Sequence, residues 1–452
     1  MNRLRAGVGR CDITPAPGTP QGGWGAQTHE RGLGADMPFY ATALVFSGAD
    51  GDAAIVEADA IGFNAEWTAK ILNRIVHLTG LQREKIRFSC SHTHAGPNTF
   101  RLQNLREGAD MALAYLNELP DRIASAVWQA QRNLQPVRCS AAKGFCDINM
   151  NRRFRTPEGQ IVVGRNWQGN VDSSVRVVRI DDLEEHPVAI IVHYACHPTT
   201  LAWQNQWFSP DYPGFVREVV ERQLGGTCLF LQGAAGNLTP QRGFTGDVGV
   251  CRRLGTALGL EAAKVAVQIE TLPRQERYLG VMPSGAAIAL YADEPCETDS
   301  DDLRMLTRTV ELPAKKFDSP EQLEAEAERA RHELARLRDE SADEEQIRRA
   351  MAKATQAGWR SENARRYHGQ SVISWEMQGI RIGRIALLSV GGEPFIEISQ
   401  RIAEQSPFSD TLFPGIRTAH SGTFLRTKPM SKAVMKWKQH PSRRVRQTYG
   451  KT

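Results

Sequence analysis

The segment Ser91-His92-Thr93-His94-Ala95-Gly96-Pro97 holds two imidazoles separated by one residue. It directly follows Ile86-Arg87-Phe88-Ser89-Cys90, an alternating apolar and polar run that reads as a half-buried strand, and Gly96-Pro97 stops it. On an extended chain, positions 92 and 94 point to the same side. Two imidazoles on one face suit a metal ion, or one metal ligand beside a proton-transfer group. A hydrogen-bonded surface pair is the plainer reading of the same residues.

Two more residues stand in the same kind of place. His197, in Cys196-His197-Pro198-Thr199-Thr200, ends a β-branched run over 188–195. Glu393, in Gly391-Gly392-Glu393-Pro394, ends an apolar run over 379–390. A strand running into a Gly- or Pro-marked turn puts its last polar residue at a sheet edge, where distant segments converge. Two histidines and a carboxylate form a catalytic zinc set with one position left for water. Zinc would bring that water's pKa towards neutrality and polarise a carbonyl. Each residue also has a structural reading: His197 caps a turn, and Glu393 is an acid at a helix N-terminus.

The elements that must carry these residues follow from periodicity. A first strand over 6–15 leads into a Gly-rich loop over 18–34, and strands over 40–46 and 53–57 are joined by Gly48-Ala49-Asp50-Gly51. Residues 66–78 and about 110–131 are helical, 137–145 is a strand, and 147–153 is a polar turn. Buried strands over 175–180, 188–195 and 227–231 alternate with helices that run to about 224 and from 249 to about 268. The last strand opens the small-residue loop 232–240. Between about 315 and 366 the chain becomes charged and helical, with Ser319-Pro320-Glu321-Gln322 starting one helix and Ser341-Ala342-Asp343-Glu344 a second. This helical hairpin reads as an insertion, either a partner surface or a solvated pair packed on its parent domain. A strand pair over 371–378 and 379–390 and a short helix over 395–404 follow. The fold class is α/β, with mixed β-sheets flanked by helices.

The chain has 452 residues, 41% hydrophobic and 24% charged, with net charge +5. Much of that excess lies in the tail from 428 to 452, so no nucleic-acid partner is expected. Eight scattered cysteines, none in a CxxC pair, exclude a disulfide framework. The N-terminus has no apolar h-region, which predicts a cytoplasmic location. No G-x-S-x-G elbow, P-loop or dinucleotide fingerprint sits at a strand end. No amphipathic lipid-docking segment stands out.

Taken together the motifs resemble the neutral/alkaline non-lysosomal ceramidase family. The matching pieces are Gly9-Arg10-Cys11-Asp12-Ile13-Thr14, the His92–Pro97 motif, Asn149-Met150-Asn151-Arg152, His197-Pro198-Thr199-Thr200, Ser209-Pro210-Asp211-Tyr212-Pro213-Gly214, Gly236-Asn237-Leu238-Thr239-Pro240 and Gly392-Glu393. The resemblance implies an α/β catalytic domain over 1–427, one Zn2+ and hydrolysis of the N-acyl bond of ceramide. It implies His92, His197 and Glu393 as zinc ligands, His94 on the attacked carbonyl, and Arg152 as an active-site arginine. Thr239 stands where the family has serine, and Phe424 where it has a liganding tyrosine, which leaves His420 as a substitute ligand. The expected partner is a small-molecule or lipid amide, with transient membrane contact. Two other readings remain open: a zinc hydrolase of small polar amides or esters, and a non-catalytic binding protein with a degenerate metal site.

Overall fold

A computed structural model describes residues 4–415, apart from 28, 101, 103, 104, 106 and 297–301. His420, Phe424 and the basic tail lie outside the described residues.

Two sheets stacked face to face carry the molecule, each with a helix pair on its outer side. The first sheet has the order Ile86–Cys90, Gly51–Ala58, Tyr40–Gly48, Arg5–Asp12, Gln135–Pro136. It is mixed: Ile86–Cys90 runs parallel to Gly51–Ala58, and the other pairings are antiparallel. The second has the order Thr227–Gln232, Pro187–Tyr194, Ser174–Asp181, Arg138–Phe145.

Strand periodicity explains the layering. In Tyr40–Gly48, Ala41, Ala43 and Val45 pack with Trp67, Ile71 and Ile75 of the Ala65–Thr79 helix and with Leu116 and Ile123 of the Ala109–Arg132 helix. Leu44 and Phe46, on the opposite face, pack with Val178, Ile180, Ile191 and Leu229 of the second sheet. The outer face of that sheet presents Val175, Val177 and Ile190 to Phe215, Val216, Leu258 and Ala262. Those residues belong to the Tyr212–Leu224 and Val248–Val267 helices. Strands buried on both faces read as continuous apolar runs, which is how they stand in the sequence.

A third sheet, of order Leu303–Pro313, Val372–Ile382, Ile385–Val390, Asp410–Leu412, joins the same inter-sheet core through Ile380, Ile382, Ile385 and Leu387. The helices Pro320–Asp339 and Glu344–Tyr367 form the charged hairpin, capped by Ser319 and Asp343 side chains on the amides of Gln322 and Gln346.

Two readings need correction. Residues 147–153 are not a turn: Asn149–Arg155 is a strand, paired with Leu238–Pro240 and Ile161–Asn166. The final strand pair turns at residues 383–384 rather than between 378 and 379, with Gly383 at a positive φ of 53°.

Candidate metal centre

His92, His197 and Glu393 each lie two or three residues beyond a strand: Ile86–Cys90, Pro187–Tyr194 and Ile385–Val390 respectively. These strands belong to three different sheets, and their ends meet. The two histidines of the His-x-His motif converge by a different route from the one strand alternation implies. The strand ends at Cys90, and His92 takes a left-handed backbone with φ 69°. That kink turns the His92 ring edge-on to His94, with ring centroids 5.1 Å apart.

Each imidazole is fixed by one backbone carbonyl. His92 Nδ1 lies 2.5 Å from the carbonyl of Ile61, His94 Nδ1 3.0 Å from that of Gly23, and His197 Nδ1 2.9 Å from that of Ala235. A carbonyl only accepts, so all three Nδ1 atoms carry the proton and donate it. The three Nε2 atoms are left with lone pairs. His92 Nε2 and His197 Nε2 are 3.1 Å apart, and the ligand atoms of all three histidines lie within 4.8 Å of one another. Two acceptor nitrogens at that separation repel unless a cation lies between or beside them. His94 Nε2 is buried and has no hydrogen-bond partner among the described residues.

Glu393 closes the fourth side. Its Oε1 is 3.6 Å from His92 Nε2, and its Oε2 is 3.7 Å from His197 Nε2 and 3.5 Å from Arg152 Nη2. Arg152 is itself held by Nε and Nη2 donating to the carbonyl of Gly236, at 3.1 and 2.9 Å. Asn237 fixes the segment beyond Glu393: its Oδ1 accepts from the Ile396 amide at 2.9 Å, and its Nδ2 donates to Glu397. Gly236 must be glycine, because a Cβ there would sit 2.4 Å from the backbone oxygen of Glu393. The same holds for Gly23, where a Cβ would meet the backbone oxygen of His94 at 2.3 Å.

Electrostatics keeps the cluster ready for a cation. Burial, followed by the neighbouring His92, pushes His94 down to about 3. Burial, Arg152 and His92 push His197 well below the usual imidazole range. Burial alone would raise Glu393. The adjoining His92 and His197 rings and Arg152 outweigh it and hold the carboxyl well below the usual carboxylate range. Neutral imidazoles anchored through Nδ1 to carbonyls, beside an ionised carboxylate, are what a divalent ion requires of its ligands and their supports.

Thr239 does not join this cluster directly. Its hydroxyl pairs with Thr199 Oγ1 at 3.1 Å and makes no hydrogen bond to the imidazoles. Sequence reasoning missed Trp24, whose ring lies 5.1 Å from His94, 5.9 Å from Trp203 and 5.7 Å from Phe244. Its signal was present: a lone aromatic in Gly22-Gly23-Trp24-Gly25 is a side chain carried on a backbone free to approach another segment. The carbonyls of Gly23, Ile61 and Ala235 left no signal at all, since a backbone acceptor has no residue type.

Residues 4–242, more than half of the chain, match the family described as neutral/alkaline non-lysosomal ceramidase, N-terminal. The chain belongs to this family. Among curated ceramidases, neutral ceramidase A of Dictyostelium discoideum is 26% identical over 239 residues, 49% of this chain and 32% of that protein. Neutral ceramidase of Oryza sativa subsp. japonica is 25% identical over 230 residues, 48% of this chain and 28% of that protein. The matched stretch thus spans about a third of the length of these ceramidases. In fold, the chain resembles the crystal structure of neutral ceramidase from Pseudomonas aeruginosa, with TM-score 0.64 and 19% identity, over 96% of this chain and 70% of that one. The likeness in fold therefore reaches well past residue 242, where the family match ends.

Proposed function

We propose that this chain is a metal-dependent hydrolase of an N-acyl amide bond, with a ceramide-like lipid amide as its substrate class. One observation carries the reading: three imidazoles, each anchored through Nδ1 to a backbone carbonyl, turn their Nε2 atoms towards one another beside the Glu393 carboxylate. His92, His197 and Glu393 would hold the ion, and a mixed nitrogen and oxygen donor set suits zinc. When bound, such an ion polarises the amide carbonyl and acidifies a water.

The chain's own groups supply the rest. His94 Nε2 is an acceptor, so it orients the attacking water by accepting its hydrogen bond. The proton that the water gives up ends on the leaving nitrogen as the C–N bond breaks. The products are a carboxylic acid and an amine. Arg152 adds positive charge beside the site, and a well-placed oxyanion donor contributes roughly 3 kcal/mol to the barrier. Thr239 supports the His197 loop through Thr199.

The test compares turnover of long-chain N-acyl amides with that of short polar amides and acetyl esters, in the full chain and in His92→Ala and His197→Ala. The expected result is a preference for the long-chain amide and loss of at least a thousandfold in turnover in either variant. Full activity in a metal-free His92→Ala protein overturns the mechanism. A preference for short polar substrates overturns the lipid assignment alone.

A further inference from the structure

The strands Arg274–Met282 and Ile288–Pro295 form a hairpin that is exposed along almost its whole length. From Tyr278 to Tyr291 the sequence is Tyr-Leu-Gly-Val-Met-Pro-Ser-Gly-Ala-Ala-Ile-Ala-Leu-Tyr, 14 residues without a charge. Below it the hairpin is charged, with Arg274, Glu276, Arg277, Asp293 and Glu294, and an Arg277–Glu294 ion pair at 2.6 Å. The register places Tyr278 opposite Tyr291 at the boundary, with their rings 5.8 Å apart.

The apolar side chains occupy both faces. Tyr278, Tyr291 and Val281 share one, and Met282, Ile288 and Leu290 the other, as their cross-strand pairing requires. Tyr278, Val281 and Tyr291 are 58%, 57% and 56% exposed. This distribution discriminates between occupants. Each face offers only three or four large exposed apolar side chains, against roughly 20–30 residues a side in a stable protein interface. A second copy laid on one face would leave the other in water. A medium that surrounds the tip satisfies both faces at once.

We propose that this hairpin is a membrane-docking finger, dipping its uncharged tip into the outer part of a lipid leaflet with Tyr278 and Tyr291 at the headgroup level. Tyrosine suits that level because its ring is apolar and its hydroxyl is wet. The four residues beyond each tyrosine reach about 13 Å at strand rise, within one leaflet of a core about 30 Å thick. Among the described residues the hairpin pairs with no other strand, so its two outer edges carry unpaired backbone groups, which limits the depth to the interface, about 5–10 Å. The charged base stops further entry. With both signs at the base, the finger does not select anionic lipid.

The experiment sediments the full chain with phosphatidylcholine vesicles, with and without phosphatidylserine, and compares Val281→Asp/Leu290→Asp. Both sites are exposed, so the variant's unfolding temperature and far-UV spectrum serve as controls for folding. The expected result is binding to uncharged vesicles that the variant weakens at least tenfold at unchanged unfolding temperature. Absence of wild-type binding, or equal binding by the variant, overturns the proposal. So does binding only to phosphatidylserine vesicles that high salt abolishes, or a wild-type dimer lost in the variant without any vesicle affinity. The readout is binding, so it stands or falls separately from the substrate of the metal centre.

Discussion

His94 shows how much chemistry a single hydrogen bond decides. Its Nδ1 donates to Gly23, which makes its Nε2 a lone pair rather than a donor, and burial keeps it neutral. The same arrangement at His92 and His197 leaves their Nε2 lone pairs free as well. Gly236 tests whether the backbone framing matters as much as the side chains. A methyl group there meets the Glu393 backbone oxygen at 2.4 Å and disturbs the carbonyl that holds Arg152. Gly236→Ala is therefore expected to lower metal affinity at least tenfold, and to cost about 1–3 kcal/mol in stability. Metal titration followed by urea unfolding checks both. Wild-type metal affinity in this variant would show that Glu393 is not held through Gly236.

At the scale of elements, the site depends on strands from three sheets ending at one place, and on the ties that keep the sheets in register. Arg217, on the Tyr212–Leu224 helix, makes two hydrogen bonds to Asp59, at 2.8 and 2.6 Å, and lies 3.8 Å from Glu57. All three are buried. The tie joins the helix of one layer to the strand end that precedes the Ile61 carbonyl under His92. Removing one partner of a buried ion pair strands the other, at a cost of about 3–5 kcal/mol. Arg217→Ala is expected to lose about that much in urea unfolding, and Arg217→Ala/Asp59→Ala less than the sum of the two single changes. Strict additivity would mean the pair is not coupled.

Most elements were legible where one pattern ruled alone. The Ala65–Thr79 helix shows Trp67, Ile71, Leu72 and Ile75 at helical spacing, and Asn64 caps it as a side-chain acceptor should. Pro187–Tyr194 is a plain apolar run because both its faces are covered. Asn149–Arg155 was misread because its buried face is polar. Asn149 and Asn151 donate to the carbonyls of Ala195 and Asn170, partners that no local pattern announces. The chemistry-bearing residues were legible by type and by placement at strand ends. The kink at His92 and the three carbonyl acceptors were not, since they arise only when separate sheets are packed. The exposed finger was missed because its uncharged run is short and broken by Pro283, Ser284 and Gly285.

The molecule as a whole carries buried titratable groups that pull stability in opposite directions with pH. Burial pushes His193 down to about 3, with Arg176 adding to the effect. Below pH 6.5 the unfolded chain binds a proton there that the folded chain refuses, so stability falls as pH drops. Burial, and then the charge of Asp59, pushes Glu57 up to about 8. Between pH 4.5 and 8 the folded chain keeps a proton that the unfolded chain releases, so this group's contribution is lost as pH rises. His94 and His197 add to the acid side in the metal-free protein. The metal-free chain should therefore be most stable slightly below neutrality. Glu57→Gln should flatten the decline on the alkaline side, steepen the rise between pH 4.5 and 6.5 that Glu57 opposes, and leave the limb below pH 4.5 unchanged, as read from urea midpoints across pH. An unchanged alkaline limb in Glu57→Gln would assign that decline to other groups.

The proposed chemistry stands on a divalent ion held by His92, His197 and Glu393. Metal analysis of the full chain, purified without chelator and again after stripping and re-exposure to micromolar zinc, addresses it directly. About one tightly held ion per chain is expected, and none in His92→Ala/His197→Ala. A wild-type chain that retains no ion after zinc exposure, or a double variant that holds as much as the wild type, would contradict it.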